Sequence, residues 1–589
     1  MISQKIGDSI PNNTAHAVSV TLPTWEATVG YEEGEDWVVE RMSTGYPRFF
    51  IHQEIKLLCK LLEDCYGRES ERCLVFPTYN VAKRCREFIK KYTKLDQVNV
   101  RILQLSTPSP KNEDERAYRL ETHISIAFFP ASEFSVAKQY WQHSGEGISS
   151  RMGEYCLHEL KYLAEGIEDH RSNSPGNNQV GQRSRKSRSS RSSIVDLNNN
   201  TNEYSTFIEE RFGRNLDMRF HNEAKSLLKR RIAGKIGESQ DEGSASTERA
   251  AISELSQDDV YLYPSGMTSI FNAYLAILSI GHADRKSVCF GFPYVDTLNI
   301  LKKFGPGVHF YGLGDDSSLD ELEQQLASGL KISSLFCECP SNPLLKTPDL
   351  LRVKSLAQRY DFLVVVDETI GNFLNIHVLP YADMVVSSLT KVFSGASNVM
   401  GGSLILNPDS PHYESLKAYF NSRFEDLYWA QDVIYMERNS RDFETRSDKV
   451  NRNAEAVVNY LSNSSLIKEI YYPSLSGSKE HYDKIKTPLG GYGGLLSLVF
   501  IEAERAKCFF NSLKLSKGPS LGTNFTLACP YSILAHFQEL DEIEKWGVDR
   551  NLIRISIGLE PELQLLAILK EALQTASEVD IKKKIASIE

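Results

Sequence analysis

Between about residues 204 and 425 short apolar runs alternate with helical stretches, and no other feature of the chain restricts its fold so tightly. The runs "KSVCFGF", "ISSLFCE", "DFLVVVDE" and "DMVVSSL" are separated by segments such as "TPDLLRVKSLAQRY". Continuous apolar character means strands covered on both faces. Strands that alternate with helices predict a parallel sheet with crossover helices. With 589 residues the chain is too long for a single core, and further domains are expected.

Residues 1–170 read as an N-terminal α/β extension. "VNVRILQLS" and "THISIAFFP" predict strands, and "QEIKLLCKLLEDCYG" places Ile55, Leu58, Cys59 and Leu62 on one helical face. Residues 171–203 are rich in Ser, Arg and Asn and almost free of large apolar residues. Such a stretch cannot bury enough surface to offset its ordering entropy, so a disordered linker is expected. Its basic core, Arg183 to Arg191, is a plain solvated linker or a nuclear-import or phosphorylation segment. Residues 204–430 form the large domain. Residues 431–589, with "SDKVNRNAEAVVNYLSN" as a helix and "LLSLVFI" and "LIRISIGL" as strands, form a smaller C-terminal α/β domain.

A weak echo crosses the linker. "GYPRFFIHQEIKLLCKLL…RCLVFPTYNVAKRCREFI" has the same order of elements as "RFGRNLDMRFHNEAKSLLKRRI…VYLYPSGMTSIFNAYLAIL". A diverged duplication and a chance likeness of two helix–strand–helix segments both fit it.

Composition narrows the partners. A net charge of −10 argues against nucleic acids and membranes, which are polyanionic. No apolar run approaches the ~20 residues of a membrane helix, and the first residues resemble neither a signal nor a transit peptide. The ten cysteines have no CxxC pairs, which favours reduced thiols of a cytoplasmic protein over a metal site.

Candidate site residues gather where the strands of the sheet end. Ser265-Gly266 joins a strand to a long apolar helix, a place for an anion such as phosphate. Tyr294 and Asn342 follow two further strands, Asp367 ends a third, and Ser388, Thr390 and Lys391 follow a fourth. The carboxyl edge of such a sheet is where α/β proteins bind ligands. A phosphorylated aldehyde cofactor would use all of these groups: an amine to bond the aldehyde, a carboxylate to keep a ring nitrogen protonated, and hydroxyls for the phosphate.

Taken in order, "SGM", a tyrosine after a strand, "E-x-P-x-NP", "VVD-x-T" and "S-x-TK…GG" resemble the pyridoxal-phosphate enzymes of cysteine and methionine transsulfuration, over residues 204 to about 570. The N-terminal section, the Ser/Arg linker and "LPTWEATVGYEEG" are similar to the fungal branch of that family that makes cystathionine. The resemblance implies a fold-type I transferase with Lys391, Tyr294 and Asp367 as catalytic residues. Lys391 would bond pyridoxal 5′-phosphate, Asp367 pair with its ring nitrogen, Asn342 with its ring oxygen, and Tyr294 stack on it. Ser265, Gly266, Met267, Ser388 and Thr390 would hold the phosphate, and Arg554 with Ser520 the substrate carboxylate. It also implies a homodimer or homotetramer with shared sites, because the family's Tyr-x-Arg pair reaches a neighbour's phosphate. The corresponding stretch "EERFGRN" suggests Arg211, with Arg214 as the competing register; a literal Tyr-x-Arg occurs only at Tyr46 to Arg48.

Two other departures stand out. "GASN" (Ala396, Asn398) replaces the family's "GHSD", and Phe525 replaces a glutamate in the substrate loop. The implied reaction is γ-replacement: an O-acylhomoserine exchanges its acyl group for cysteine. Cystathionine cleavage, use of sulfide, and a regulatory paralogue that only binds the cofactor are the alternatives. The expected location is cytoplasmic, or nuclear as well if the basic stretch is an import signal.

Overall fold

The computed structural model describes residues 5–172, 216–234 and 255–579, and the side chains of 162–172 are not among those described. The expected linker 171–203 falls almost wholly outside these residues, as do Arg211 and Arg214.

The described residues form three sheets. In the N-terminal region β1 (Glu71–Phe76), β2 (Arg101–Ser106) and β3 (His123–Pro130) pair antiparallel in the order β1-β3-β2. The helix Gln53–Tyr66 packs on them through Ile55, Leu58, Cys59 and Leu62, the face the periodicity predicts. Consecutive residues are buried along β1 (Cys73 to Phe76) and β3 (Ile124 to Phe129), so this sheet is covered on both faces. This helix, with Tyr79–Tyr92 and Phe134–Ser144, supplies that cover.

The large sheet holds β4 (Val260–Tyr263), β5 (Ser287–Phe290), β6 (Val308–Tyr311), β7 (Ser334–Glu338), β8 (Leu363–Asp367), β9 (Met384–Ser388) and β10 (Gly402–Leu406). Their order is β4-β10-β9-β8-β7-β5-β6. Strands β5 to β9 are parallel, while β10 runs antiparallel to both β9 and β4. It follows that β4 runs parallel to the central strands, and the carboxyl ends of β4, β5, β7, β8 and β9 share one edge. Val364 to Val366 and Met384 to Val386 are buried, as strands with helices on both faces require.

The C-terminal sheet is β11 (Ile467–Tyr471), β12 (Leu495–Phe500), β13 (Ser516–Lys517), β14 (Leu527–Pro530) and β15 (Ile553–Ser556), in the order β11-β12-β15-β14-β13. Only β13 and β14 pair in parallel.

Outside the helices Trp25–Glu33 and Asp36–Val39, residues 5–52 are irregular and are held by long-range bonds. Val18 N donates to Ser397 O (2.9 Å) and Leu22 N to Lys517 O (2.9 Å). Gly518 lets this strap approach, because a Cβ at that position would lie 2.0 Å from the Val20 carbonyl oxygen. Among the described residues no helix is long and apolar enough to cross a membrane, and the ten cysteines are free thiols.

Candidate active site

The shared carboxyl edge of the large sheet faces β15 and the loop after β13, and a cavity lies between them. It is lined by Ser265, Gly266, Met267, Tyr294, Asn342, Asp367, Ser388, Thr390, Lys391, Ser520 and Arg554. Each of these is a residue singled out from the sequence. Tyr46, Arg48, Thr369, Glu338 and Tyr531 are among the further lining residues, none of them assigned a role from the sequence.

Lys391 follows β9 and is 7% exposed. Its Nζ donates to the Tyr46 hydroxyl (2.9 Å) and to Ser520 Oγ (3.1 Å), and lies 4.8 Å from the centre of the Tyr46 ring. Burial alone would raise the Tyr46 phenol. The Lys391 ammonium, its hydrogen bond and the Arg48 and Arg554 guanidiniums outweigh burial and hold it below the usual tyrosine value.

Asp367 ends β8, in register with Glu338 at the end of β7. Its Oδ1 accepts from Thr369 N (2.9 Å), and no ion pair reaches it among the described residues. Burial raises its carboxyl, with the Thr369 bonds pulling back only in part. Glu338 is pushed up to about 8 by burial and by the Asp367 charge, against two backbone N–H groups, those of Tyr294 and Asn342, that favour its ionised form. Two carboxyls on adjacent strand ends therefore disfavour each other's ionisation. A cation at the Asp367 end of the cavity would relieve both.

Ser265 caps the helix Gly266–Ile280, its Oγ accepting from Thr268 N (3.2 Å). At Gly266 a Cβ would come within 2.7 Å of the Ser388 Cβ, so glycine is what allows the helix start to approach the end of β9. Thr390 Oγ1 is tied to Gly401, accepting from its N–H (3.1 Å). Arg554 projects from β15, donating from Nη1 to Asn342 Oδ1 (3.0 Å) and from Nη2 to Ser520 O (2.7 Å), with its guanidinium 4.8 Å from the Tyr531 ring centre. Ser520 has φ +91°, a conformation that non-glycine residues rarely adopt. Arg554 holds it from one side, and Ser19 Oγ, which donates to Pro519 O (2.5 Å), from the other.

The sequence reading left the third Tyr-x-Arg register, Tyr46 to Arg48, unassigned. The structure puts both residues in the cavity. Arg48 is 5% exposed; Nη2 pairs with Asp296, while Nε and Nη1 are buried without a partner among the described residues. Asp296 also accepts from His143 Nδ1 (2.7 Å). Burial would raise its carboxyl, but Arg48 and His143 hold it below its ordinary value.

Pyridoxal phosphate fits these residues. Two buried guanidinium N–H groups lack acceptors, a carboxylate lacks a cation, and the lysine of the cavity is held by hydroxyls. Each need is met by one group of the cofactor: its phosphate, its ring nitrogen and its aldehyde.

Comparison with known proteins agrees. The family model for Cys/Met metabolism PLP-dependent enzymes matches residues 245–574, and that for the fungal trans-sulfuration enzyme N-terminal domain matches residues 54–149. The chain is 46% identical to a cystathionine gamma-synthase of Neurospora crassa, over 98% of this chain and 99% of that protein. It is 45% identical to a cystathionine gamma-synthase of Saccharomyces cerevisiae, over 98% and 100%. A cystathionine gamma-synthase-like enzyme of Amanita muscaria is 40% identical, with 97% of each chain covered. With its β4-β10-β9-β8-β7-β5-β6 sheet and Lys391 at the edge of it, the chain belongs to the Cys/Met metabolism PLP-dependent enzymes, of fold type I.

Proposed function

We propose that this enzyme is a cystathionine γ-synthase: it replaces the acyl group of an O-acylhomoserine with the sulfur of cysteine. The observation that carries the reading is the near-full-length similarity, 46% identity over 98% of the chain, to a protein of that name. The pyridoxal phosphate, when bound, supplies an electron sink for negative charge developing beside the amino-bearing carbon.

The chain's own residues have the following work. Lys391 would hold the cofactor through its aldehyde, and its amine could move protons among the substrate carbons as general acid and base. Tyr46, whose hydroxyl accepts from Lys391 Nζ, has a lowered phenol value and can take and return a proton at that nitrogen. Asp367 would pair with the ring nitrogen and keep it protonated. Tyr294 would pack on the ring and Asn342 would bond its oxygen. Ser265, Gly266, Met267, Ser388, Thr390 and Arg48 would hold the phosphate. Arg211, expected in Arg48's role, falls outside the described residues. Arg554 binds the substrate carboxylate by a bidentate pair, with Ser520 fixing its position through the Nη2 to backbone oxygen bond.

The implied substrates are small amino acids, and the free thiols fit a cytoplasmic setting. The test is product analysis by mass spectrometry. Purified enzyme with pyridoxal phosphate, O-acetylhomoserine or O-succinylhomoserine, and cysteine is expected to form cystathionine, and a Lys391→Ala control none. Ketoacid and ammonia in place of cystathionine would overturn the synthase reading in favour of a lyase.

A further inference from the structure

The echo across the chain has a structural counterpart. β1 ends in Phe76-Pro77-Thr78 and β4 in Tyr263-Pro264-Ser265: an aromatic residue, a proline and a hydroxyl that caps the next helix. Thr78 has φ −138° and ψ 161° and accepts from Val81 N (3.3 Å). Ser265 has φ −155° and ψ 160° and accepts from Thr268 N (3.2 Å). Each strand is also preceded by a helix, Gln53–Tyr66 in one case and His221–Ile232 in the other.

The two helix starts are used differently. At Ser265 the next residue is Gly266 and the helix start opens on the cavity that holds Lys391. At Thr78 the next residue is the exposed Tyr79, and the hydroxyl donates to the Glu425 carboxylate (2.6 Å). Arg84 of that helix pairs with Glu146 (2.7 Å) and approaches Glu425 (3.4 Å). The place that takes an anion in one unit is filled in the other by the protein's own carboxylate.

The N-terminal unit also presses on the catalytic one. Tyr140 meets Phe271 edge-on with ring centres 6.4 Å apart, Phe88 stacks on Phe304 at 5.0 Å, and Thr268 Oγ1 donates to Gly145 O (2.8 Å). From just ahead of the helix Gln53–Tyr66 it sends Tyr46 and Arg48 into the cavity.

We infer that the N-terminal region is a diverged second copy of the cofactor-binding unit that has lost its own anion site and now serves as a built-in partner, closing the active site of its own chain with Tyr46 and Arg48. The cofactor site is thereby complete within one chain, and no arginine from a neighbouring copy is needed. This rests on the cavity being a pyridoxal-phosphate site and not on the reaction assigned to it.

The test uses full-length chains with different tags, one carrying Lys391→Ala and the other Arg48→Ala, co-expressed and purified on both tags. Retained pyridoxal phosphate is read by absorbance and fluorescence titration, without substrate. Arg48→Ala alone is expected to bind the cofactor about 10–100-fold more weakly, the effect of one charged hydrogen-bonding group. Arg48→Lys, which keeps a cation beside Asp296, is expected to fall in between and guards against a folding failure. In the mixed assembly, a site closed in cis leaves no chain with both residues, and no binding of wild-type affinity is expected. About one wild-type-affinity site per two chains would mean that the arginine crosses between copies, and would overturn the inference. Wild-type affinity in both Arg48 variants would overturn it as well. If no mixed assembly forms, a wild-type chain that is monomeric by light scattering and binds cofactor tightly supports it, and a monomer that does not bind refutes it. Failure of the cystathionine assay with cofactor binding intact would leave this result standing.

Discussion

The floor of the cavity and its outer wall are built by different rules. The floor comes from strand ends: Asp367 on β8, Lys391 three residues past β9, Asn342 four past β7, Ser265 two past β4. Hydrogen bonding between neighbouring strands fixes where those residues lie, so the positions follow from local pattern. The wall, with Tyr46 and Arg48, comes from irregular chain whose place is set by contacts hundreds of residues away, such as Val18 with Ser397 and Arg48 with Asp296. A site can thus have half its chemistry written into the fold and half into one tertiary arrangement.

Removing the floor's amine is expected to have the largest effect. Lys391→Ala should lower turnover by about 10³-fold or more, since it removes both the bonding amine and the acid–base group, with circular dichroism unchanged. Rate measurement with saturating cofactor checks this.

Disturbing the wall without touching the floor comes next. Gly518→Ala places a Cβ 2.0 Å from the Val20 oxygen, against backbone and not a yielding side chain. The strap or the Ser520 loop must shift, at a cost of about 1–3 kcal/mol. A lower Tm is expected together with a raised KM for the amino-acid substrate, because Ser520 steadies Arg554.

The paired carboxyls of the floor give a pH signature. Glu338 rises from an unfolded value of 4.5 to about 8 in the folded chain, so the folded state binds more protons across that window. Its contribution to stability is full below about 4.5 and declines as pH rises towards 8. Cofactor-free enzyme should therefore show a fall in Tm from pH 5 to pH 8 that is smaller in Glu338→Gln. An unaltered slope would remove Glu338 as its cause.

The smallest effect sharpens the comparison of the two helix starts. Glu425→Gln removes the charged acceptor of the Thr78 hydroxyl and should cost about 1–2 kcal/mol of stability. It should leave cofactor affinity unchanged, as expected of a helix start outside the active site.

What was legible in the sequence divides along the same line. Lys391, Asp367, Asn342, Tyr294 and Ser265 could be read because apolar runs announce buried parallel strands, and polar residues just beyond them stand at the ligand edge. Glu338 carried the same signal, a carboxylate ending β7 in register with Asp367, but was passed over for the prolines and Asn342 that follow. β10 was missed because it begins with Gly402 and runs antiparallel, without a crossover helix to mark it. β6 is an edge strand of half-buried residues with no long apolar run. Tyr46 and Arg48 had the right residue types, yet nothing local says that a segment more than three hundred residues upstream returns to Lys391. The loop that carries "GASN" has a structural part, through its backbone and the serine it shares with "GHSD". Ser397 accepts from Val18 N and donates to Ile10 O (3.1 Å), and the Asn398 carbonyl accepts from Arg151 (2.7 Å). That loop is a seat for the N-terminal strap.

Whether Lys391 holds the cofactor is decided by reducing the loaded enzyme with borohydride and mapping the pyridoxyl group by peptide mass spectrometry. One group per chain is expected, on the peptide that contains Lys391. Modification of a different lysine, or a second group on the N-terminal region, would contradict it.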